Sequence, residues 1–143
     1  HLQRRRQRQM CIRDRYDPYI AHRLSGGQNI SAADYINMLA TREKIWADVQ
    51  VMTQHFDALI LPTSPILPPA LRTLDTIEAK TALNASCLRN TSLSNYLDRP
   101  TITLPCHSLG TAPVGISLMG PRLHDRHLLA IASGVEKVIN TAR

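Results

Sequence analysis

The stretch "DALILPTSP" constrains the fold of this chain more than any other. Ala58 to Leu61 are consecutive apolar residues, and Pro62 stops them. So short an apolar run, closed by a helix breaker, fits a strand buried on both faces in the interior of an α/β sheet. Pro65, Pro68 and Pro69 then enforce an extended loop, because proline and the residue before it avoid helix. Thr63 and Ser64 fall just past the strand end, where open α/β sheets place ligands.

The residues before this strand carry a different period. "SAAD" puts a hydroxyl at a helix N-cap on Ser31 and a carboxylate three residues on at Asp34, a capping box with Asp in place of Glu. From there Tyr35, Ile36, Leu39, Trp46, Val49 and Phe56 recur near helical spacing, which predicts an amphipathic helix of about six turns with its aromatic residues in the core. Upstream, "YDPYIAHRLSGGQNI" reads as turn chemistry on Pro18, Gly26, Gly27 and Asn29.

Downstream, "DTIEAKTALNASCLRNTSLSNYL" is helix-compatible but interrupted by Asn and Ser, so one or two shorter helices are expected. "RPTITLP" is a strand with β-branched Thr101, Ile102 and Thr103, and Val114 to Met119 form another. The residues between them are too many for a tight hairpin, although the two strands can still pair. "HDRHLLAIASGVEKVI" closes the chain as a helix with Leu128, Ala132, Val135 and Ile139 on one side.

Composition bounds the class. The chain has 143 residues, 43% of them hydrophobic and 20% charged, which suits one soluble globular domain. No apolar run reaches the roughly 20 residues of a membrane span, and a cytoplasmic location is expected. Cys11, Cys87 and Cys106 cannot all pair and lack metal-ligand spacing, so free buried thiols in a reducing compartment are expected. Residues 1–15 hold Arg4, Arg5, Arg6, Arg8, Arg13 and Arg15 against Asp14 alone, so nearly all of the formal net charge of +6 sits there. This segment has no aromatic residue for base stacking. It reads as a non-native or disordered tail, leaving residues 16–143 as the domain and arguing against nucleic acid as a partner.

Several clusters invite a chemical reading. Cys106, His107 and Ser108 are two nucleophiles flanking a base, but neighbours in an extended segment point to opposite faces. Cys106 and His107 should therefore diverge, and the run reads as a strand end entering a loop. His124 and His127 can share a helix face, yet Asp125 beside them looks like a cap or dipole partner, so no metal or cofactor is expected. "SGGQN" lacks the Lys and spacing of a phosphate-binding loop. "LRNTSLSNYLDRP" is more informative, concentrating polar side chains in a segment packed between apolar strands, where they need partners or a ligand.

Four pieces in order, "FDALILPTSP", "RNTSLSNYLDRPTITLP", "GTAPVGISLMGP" and "HDRHLLAIASGVE", resemble the C-terminal region of the amidase signature family, from about Arg23 to Ile139. The resemblance implies the C-terminal part of an α/β/α fold with a mixed central sheet. It also implies hydrolysis of a carboxamide C–N bond through a Ser acyl-enzyme, with a Ser-Ser-Lys triad in a Gly/Ser-rich signature. No such signature occurs here, and Lys44, Lys80 and Lys137 match non-catalytic segments. This chain is therefore expected to be a C-terminal fragment, inactive alone, whose partners are an amide substrate and the N-terminal part of its own protein. The match to "RNTSLSN" implies that Arg89, Asn90 and Thr91 face the substrate, and Arg23 in "HRLSGG" is a second candidate, suited to a substrate carboxylate. Ala85 to Tyr96 contain no acid to hold an amino group. That favours a general amidase or allophanate-hydrolase-like enzyme over the corresponding subunit of a glutamine-dependent tRNA amidotransferase. Two further readings stay open: a nucleic-acid-binding module led by the tail, and a structural module completing a partner's sheet. The parent's oligomeric state is also open, a homodimer included.

Overall fold

The structure is a computed structural model and describes residues 16–142. The basic tail and Cys11 lie outside the described residues. The chain divides into two compact units at Leu39/Ala40.

The first unit holds helix α1 (Pro18–Ser25), a 3-10 turn (Gly26–Asn29) and the opening of helix α2 (Ala32–Thr53). Here the turn reading of "YDPY" is corrected. Asp17 accepts the Ile20 amide on its carboxylate at 3.4 Å, and Pro18 takes the first helical position, where its missing N–H costs nothing. Asp-Pro thus starts a helix. The capping box at Ser31 forms as expected. The Ser31 hydroxyl donates to Asp34 Oδ2 at 2.6 Å and accepts the Asp34 amide at 3.1 Å, while the Ser31 amide donates to Oδ2 at 3.2 Å. These bonds hold the Asp34 carboxyl below its ordinary pKa.

The second unit contains the rest of α2, strand β1 (Leu59–Pro62), a 3-10 turn (Leu71–Thr73), helices α3 (Ile77–Leu88) and α4 (Thr91–Tyr96), strands β2 (Thr101–Pro105) and β3 (Gly115–Met119), and helix α5 (Asp125–Thr141). The strands form one antiparallel sheet in the order β1-β3-β2. Leu61 and Thr103 both lie opposite Ser117, and Ile60 and Ile102 both lie opposite Leu118. This register gives the sheet two different faces. Leu104 and Leu118 pack with Leu128 and Ala132 of α5, with Ile102, Ile116, Val135 and Ile139 around them. The stripe expected on the closing helix is the one that packs. Leu118 is 1% exposed, and burying a leucine so completely contributes about 1.5–3 kcal/mol.

Two expectations about burial fail. Strand β1 is an edge strand, not a doubly buried one: its residues alternate between half-buried and exposed, and Ile60 is 67% exposed. An apolar run shows that a strand belongs in a sheet, but its burial depends on neighbours that are not in its own sequence. Helix α2 likewise buries no residue. Tyr35 and Phe56 are exposed, and Trp46, half-buried, lies with its ring 5.5 Å from the Arg122 guanidinium.

The α4–β2 junction is organised by charge. Arg42 donates to the Tyr96 and Asn95 carbonyls at 2.7 and 3.2 Å, placing a cation on the C-terminus of α4. Asp98 comes next with φ +56° and pairs with Arg42 at 3.1 Å and Arg122 at 3.2 Å. Arg99 turns inward and is 7% exposed. It donates to Thr53 Oγ1 at 2.7 Å and Gln50 Oε1 at 3.2 Å, and desolvation lowers its pKa.

Candidate functional site

On the sheet face opposite α5, three hydroxyls from three strands converge. Thr63 follows β1 and extends its ladder, its amide donating to the Gly115 carbonyl at 2.9 Å. Thr103 and Ser117 are cross-strand partners. The Thr63 hydroxyl donates to Thr103 Oγ1 at 3.3 Å, while Ser117 Oγ lies 2.8 Å from Thr63 Oγ1 and 3.1 Å from Thr103 Oγ1. Since each hydroxyl has one proton, the directions are set: Thr63 donates to Thr103, Thr103 to Ser117, and Ser117 to Thr63. Gly115 makes the ring possible, because a Cβ there would sit 2.8 Å from Thr103 Cγ2 and 3.2 Å from Thr63 Oγ1.

The ring adjoins a cleft of about 410 Å³ at the C-terminal ends of β1 and β2, within the size range of small-molecule sites. Thr63, Ser64, Thr103, His107 and Gly115 line it together with Pro65, Pro105, Pro113 and neighbouring aliphatic side chains. Thr63 and Ser64, singled out by their position after an apolar strand, are thus part of its wall. Sequence reasoning passes over Thr103 and Ser117, whose one signal is a polar residue amid the apolar positions of a strand.

Of the expected substrate-facing residues, Asn90 comes nearest. Its side-chain amide donates to the Pro62 carbonyl at 2.7 Å and so ties the α3–α4 junction to the residue before Thr63. Thr91 is half-buried and donates back to the Leu88 carbonyl at 3.3 Å, and Arg89 is exposed. Neither lines the cleft. Arg23 belongs to the first unit, in the last turn of α1.

The Cys106-His107-Ser108 run enters a loop, as expected, but its first two side chains do not diverge. Cys106 Sγ and His107 Nδ1 both reach the Val114 carbonyl, at 3.6 and 3.2 Å. Strand β2 ends at Pro105, so strict alternation does not apply beyond it. Both donors are spent on one backbone oxygen, and no nucleophile–base bond joins them. Cys87 and Cys106 are free thiols, half-buried where buried ones were expected. Lys44, Lys80 and Lys137 are exposed on helices, away from the cleft.

A second, larger cleft of about 690 Å³ includes His124, Asp125, His127 and Asp57. His127 Nε2 pairs with Asp57 Oδ1 at 3.2 Å, both largely exposed. His124, not Asp125, is the cap residue of α5, and Asp125 lies in the first turn. No group of three metal-ligating side chains occurs among the described residues. No helix among them is long and apolar enough to cross a membrane.

The sequence matches the Amidase family model over residues 7–129. It is 31% identical over 127 residues to 2-amino-5-chloromuconic acid deaminase of Comamonas testosteroni, covering 88% of this chain and 28% of that protein. Indoleacetamide hydrolase of Pseudomonas syringae pv. syringae is 34% identical over 122 residues, 84% of this chain and 26% of that protein. A glutamyl-tRNA(Gln) amidotransferase subunit from Sulfurisphaera tokodaii is 34% identical over 106 residues, 74% of this chain and 22% of that protein. A crystal structure of an amidase superposes with a TM-score of 0.65 at 25% identity, covering 85% of this chain and 29% of that one. The chain spans between a fifth and a third of these relatives. The α/β class expected from the sequence agrees with this likeness, and the strands present here are antiparallel throughout.

Proposed function

We propose, from the premise that the chain belongs to the amidase family, that it forms the C-terminal part of an enzyme hydrolysing a carboxamide C–N bond. The observation that carries this reading is the family match joined to the cleft: the matched region contains every strand, and the strand ends meet at a small-molecule-sized cleft walled by Thr63 and Thr103. Chemically, a serine attacks the amide carbonyl, ammonia or an amine leaves, and water hydrolyses the resulting ester. The serines and the lysine base of that sequence belong to the larger part of the parent protein. Residues 16–143 contribute scaffold and substrate-facing surface, with Asn90 holding the α3–α4 junction beside Thr63 and Arg89, Thr91 and Arg23 turned to other parts of the substrate. The parent works in the cytoplasm without metal or organic cofactor, and the chain alone is inactive.

A second reading, the corresponding subunit of a glutamine-dependent tRNA amidotransferase, draws support from the relative in Sulfurisphaera tokodaii. The absence of any acid between Ala85 and Tyr96 favours the amidohydrolase.

Ammonia release from a panel of amides tests both. The comparison is between this chain and the same chain restored to its full upstream reading frame. Release by the restored protein alone is expected. Turnover by the isolated chain would overturn the division of labour, and a restored protein accepting only glutamine would favour the amidotransferase.

A further inference from the structure

We infer that the Thr63–Gly115 cleft takes the uncharged, apolar part of an amide substrate and discriminates against substrates carrying a second, anionic group. This rests on the amidohydrolase reading and specifies its substrate class.

The argument comes from the wall's hydrogen-bonding inventory. Among the lining residues there is no Asp, Glu, Lys or Arg. The side-chain donors are spent within the protein: the Thr63 hydroxyl on Thr103, the Ser64 hydroxyl on the Ile66 carbonyl at 3.0 Å, and His107 Nδ1 on the Val114 carbonyl at 3.2 Å. Thr103 donates to buried Ser117. What the wall has left are acceptors: the second lone pairs of Thr63 and Thr103, and Nε2 of a neutral His107, the tautomer fixed by its bond to Val114.

Such a wall complements a group that is apolar in body and bears N–H donors, such as a primary amide on an aryl or alkyl frame. A carboxylate is an acceptor and finds no side-chain donor here. Its desolvation against Pro65, Pro105, Pro113, Ile66 and Val114 would be uncompensated. A site whose polar groups mismatch the ligand rejects it far more strongly than one that merely fits it loosely.

The test compares phenylacetamide with its para-carboxylate on the complete enzyme carrying this chain. The carboxylate should lower kcat/KM on the order of 100-fold. Leu67→Lys places a cation on the cleft wall at an exposed position outside the hydroxyl ring, and should reduce that ratio about tenfold. Equal or better turnover of the carboxylate, or a ratio unmoved by Leu67→Lys, overturns the inference. An enzyme that hydrolyses neither amide sinks the amidohydrolase reading instead. The cleft is then judged by saturation-transfer NMR on this chain, where preferential binding of phenylacetamide over phenylacetate supports the inference and equal binding overturns it.

Discussion

Gly115→Ala should destabilise the chain although it adds a single methyl group. The new Cβ would lie 2.8 Å from Thr103 Cγ2 and 3.2 Å from Thr63 Oγ1, with the Leu104 carbonyl at 3.4 Å. Two unbonded carbons need roughly 3.5–4 Å, so Thr103 must move by more than half an ångström or rotate about χ1. Rotation breaks its bonds to Thr63 and Ser117, and Ser117, at 2% exposure, has no water to turn to. Overpacking of this kind costs about 1–3 kcal/mol. Urea unfolding measures it as a lower midpoint at unchanged slope. Two controls locate the effect. Gly134→Ala meets nothing within 4 Å inside α5 and should stabilise by about 0.5–1 kcal/mol. Thr103→Ser removes the colliding methyl and keeps the hydroxyl, so Gly115→Ala/Thr103→Ser should recover about 1 kcal/mol of the loss in a double-mutant cycle. A neutral Gly115→Ala, or additivity in that cycle, would refute the packing argument for the hydroxyl ring.

Leu118→Ala, at the centre of the core with α5, should cost about 2–5 kcal/mol in the same assay. Arg99→Met should be neutral or stabilising, because the buried guanidinium is met by the neutral Gln50 and Thr53 and carries a desolvation cost that a thioether lacks, whereas Arg99→Ala should destabilise by leaving a void. The capping box gives a pH signature. The folded pKa of Asp34 is depressed, so its stabilisation is present above the unfolded value of about 4 and fades as pH falls through the lower folded value. Helicity tracked by circular dichroism should drop at the acid end, and Asp34→Asn should flatten that part of the profile.

Local chemistry is legible in the sequence. Ser31 and Asp34 announce their cap because the partners are three residues apart, and Leu128, Ala132, Val135 and Ile139 announce the face of α5 by their period. Asp17-Pro18 is visible but ambiguous, since the same dipeptide suits a turn or a helix start, and the turn reading proves to be the wrong one. Burial is the least legible property. Ile60 looks like core and lies on a sheet edge, and Tyr35 looks like core and faces outward, because cover comes from elsewhere in a fold. The site is half visible. Thr63 and Ser64 stand out after an apolar strand, but the ring joins Thr63 to Ser117 across 54 residues, and only strand register brings them together.

The claim that this chain is the non-nucleophilic part of a serine amidohydrolase is tested most directly by locating the acyl group. The restored full-length protein would be incubated with an activated acyl substrate, quenched, and mapped by intact mass and peptide mass spectrometry. The account predicts one acyl adduct, on a serine outside residues 1–143. An adduct on Cys106 or Ser108 would contradict it and return the chemistry to the loop after β2.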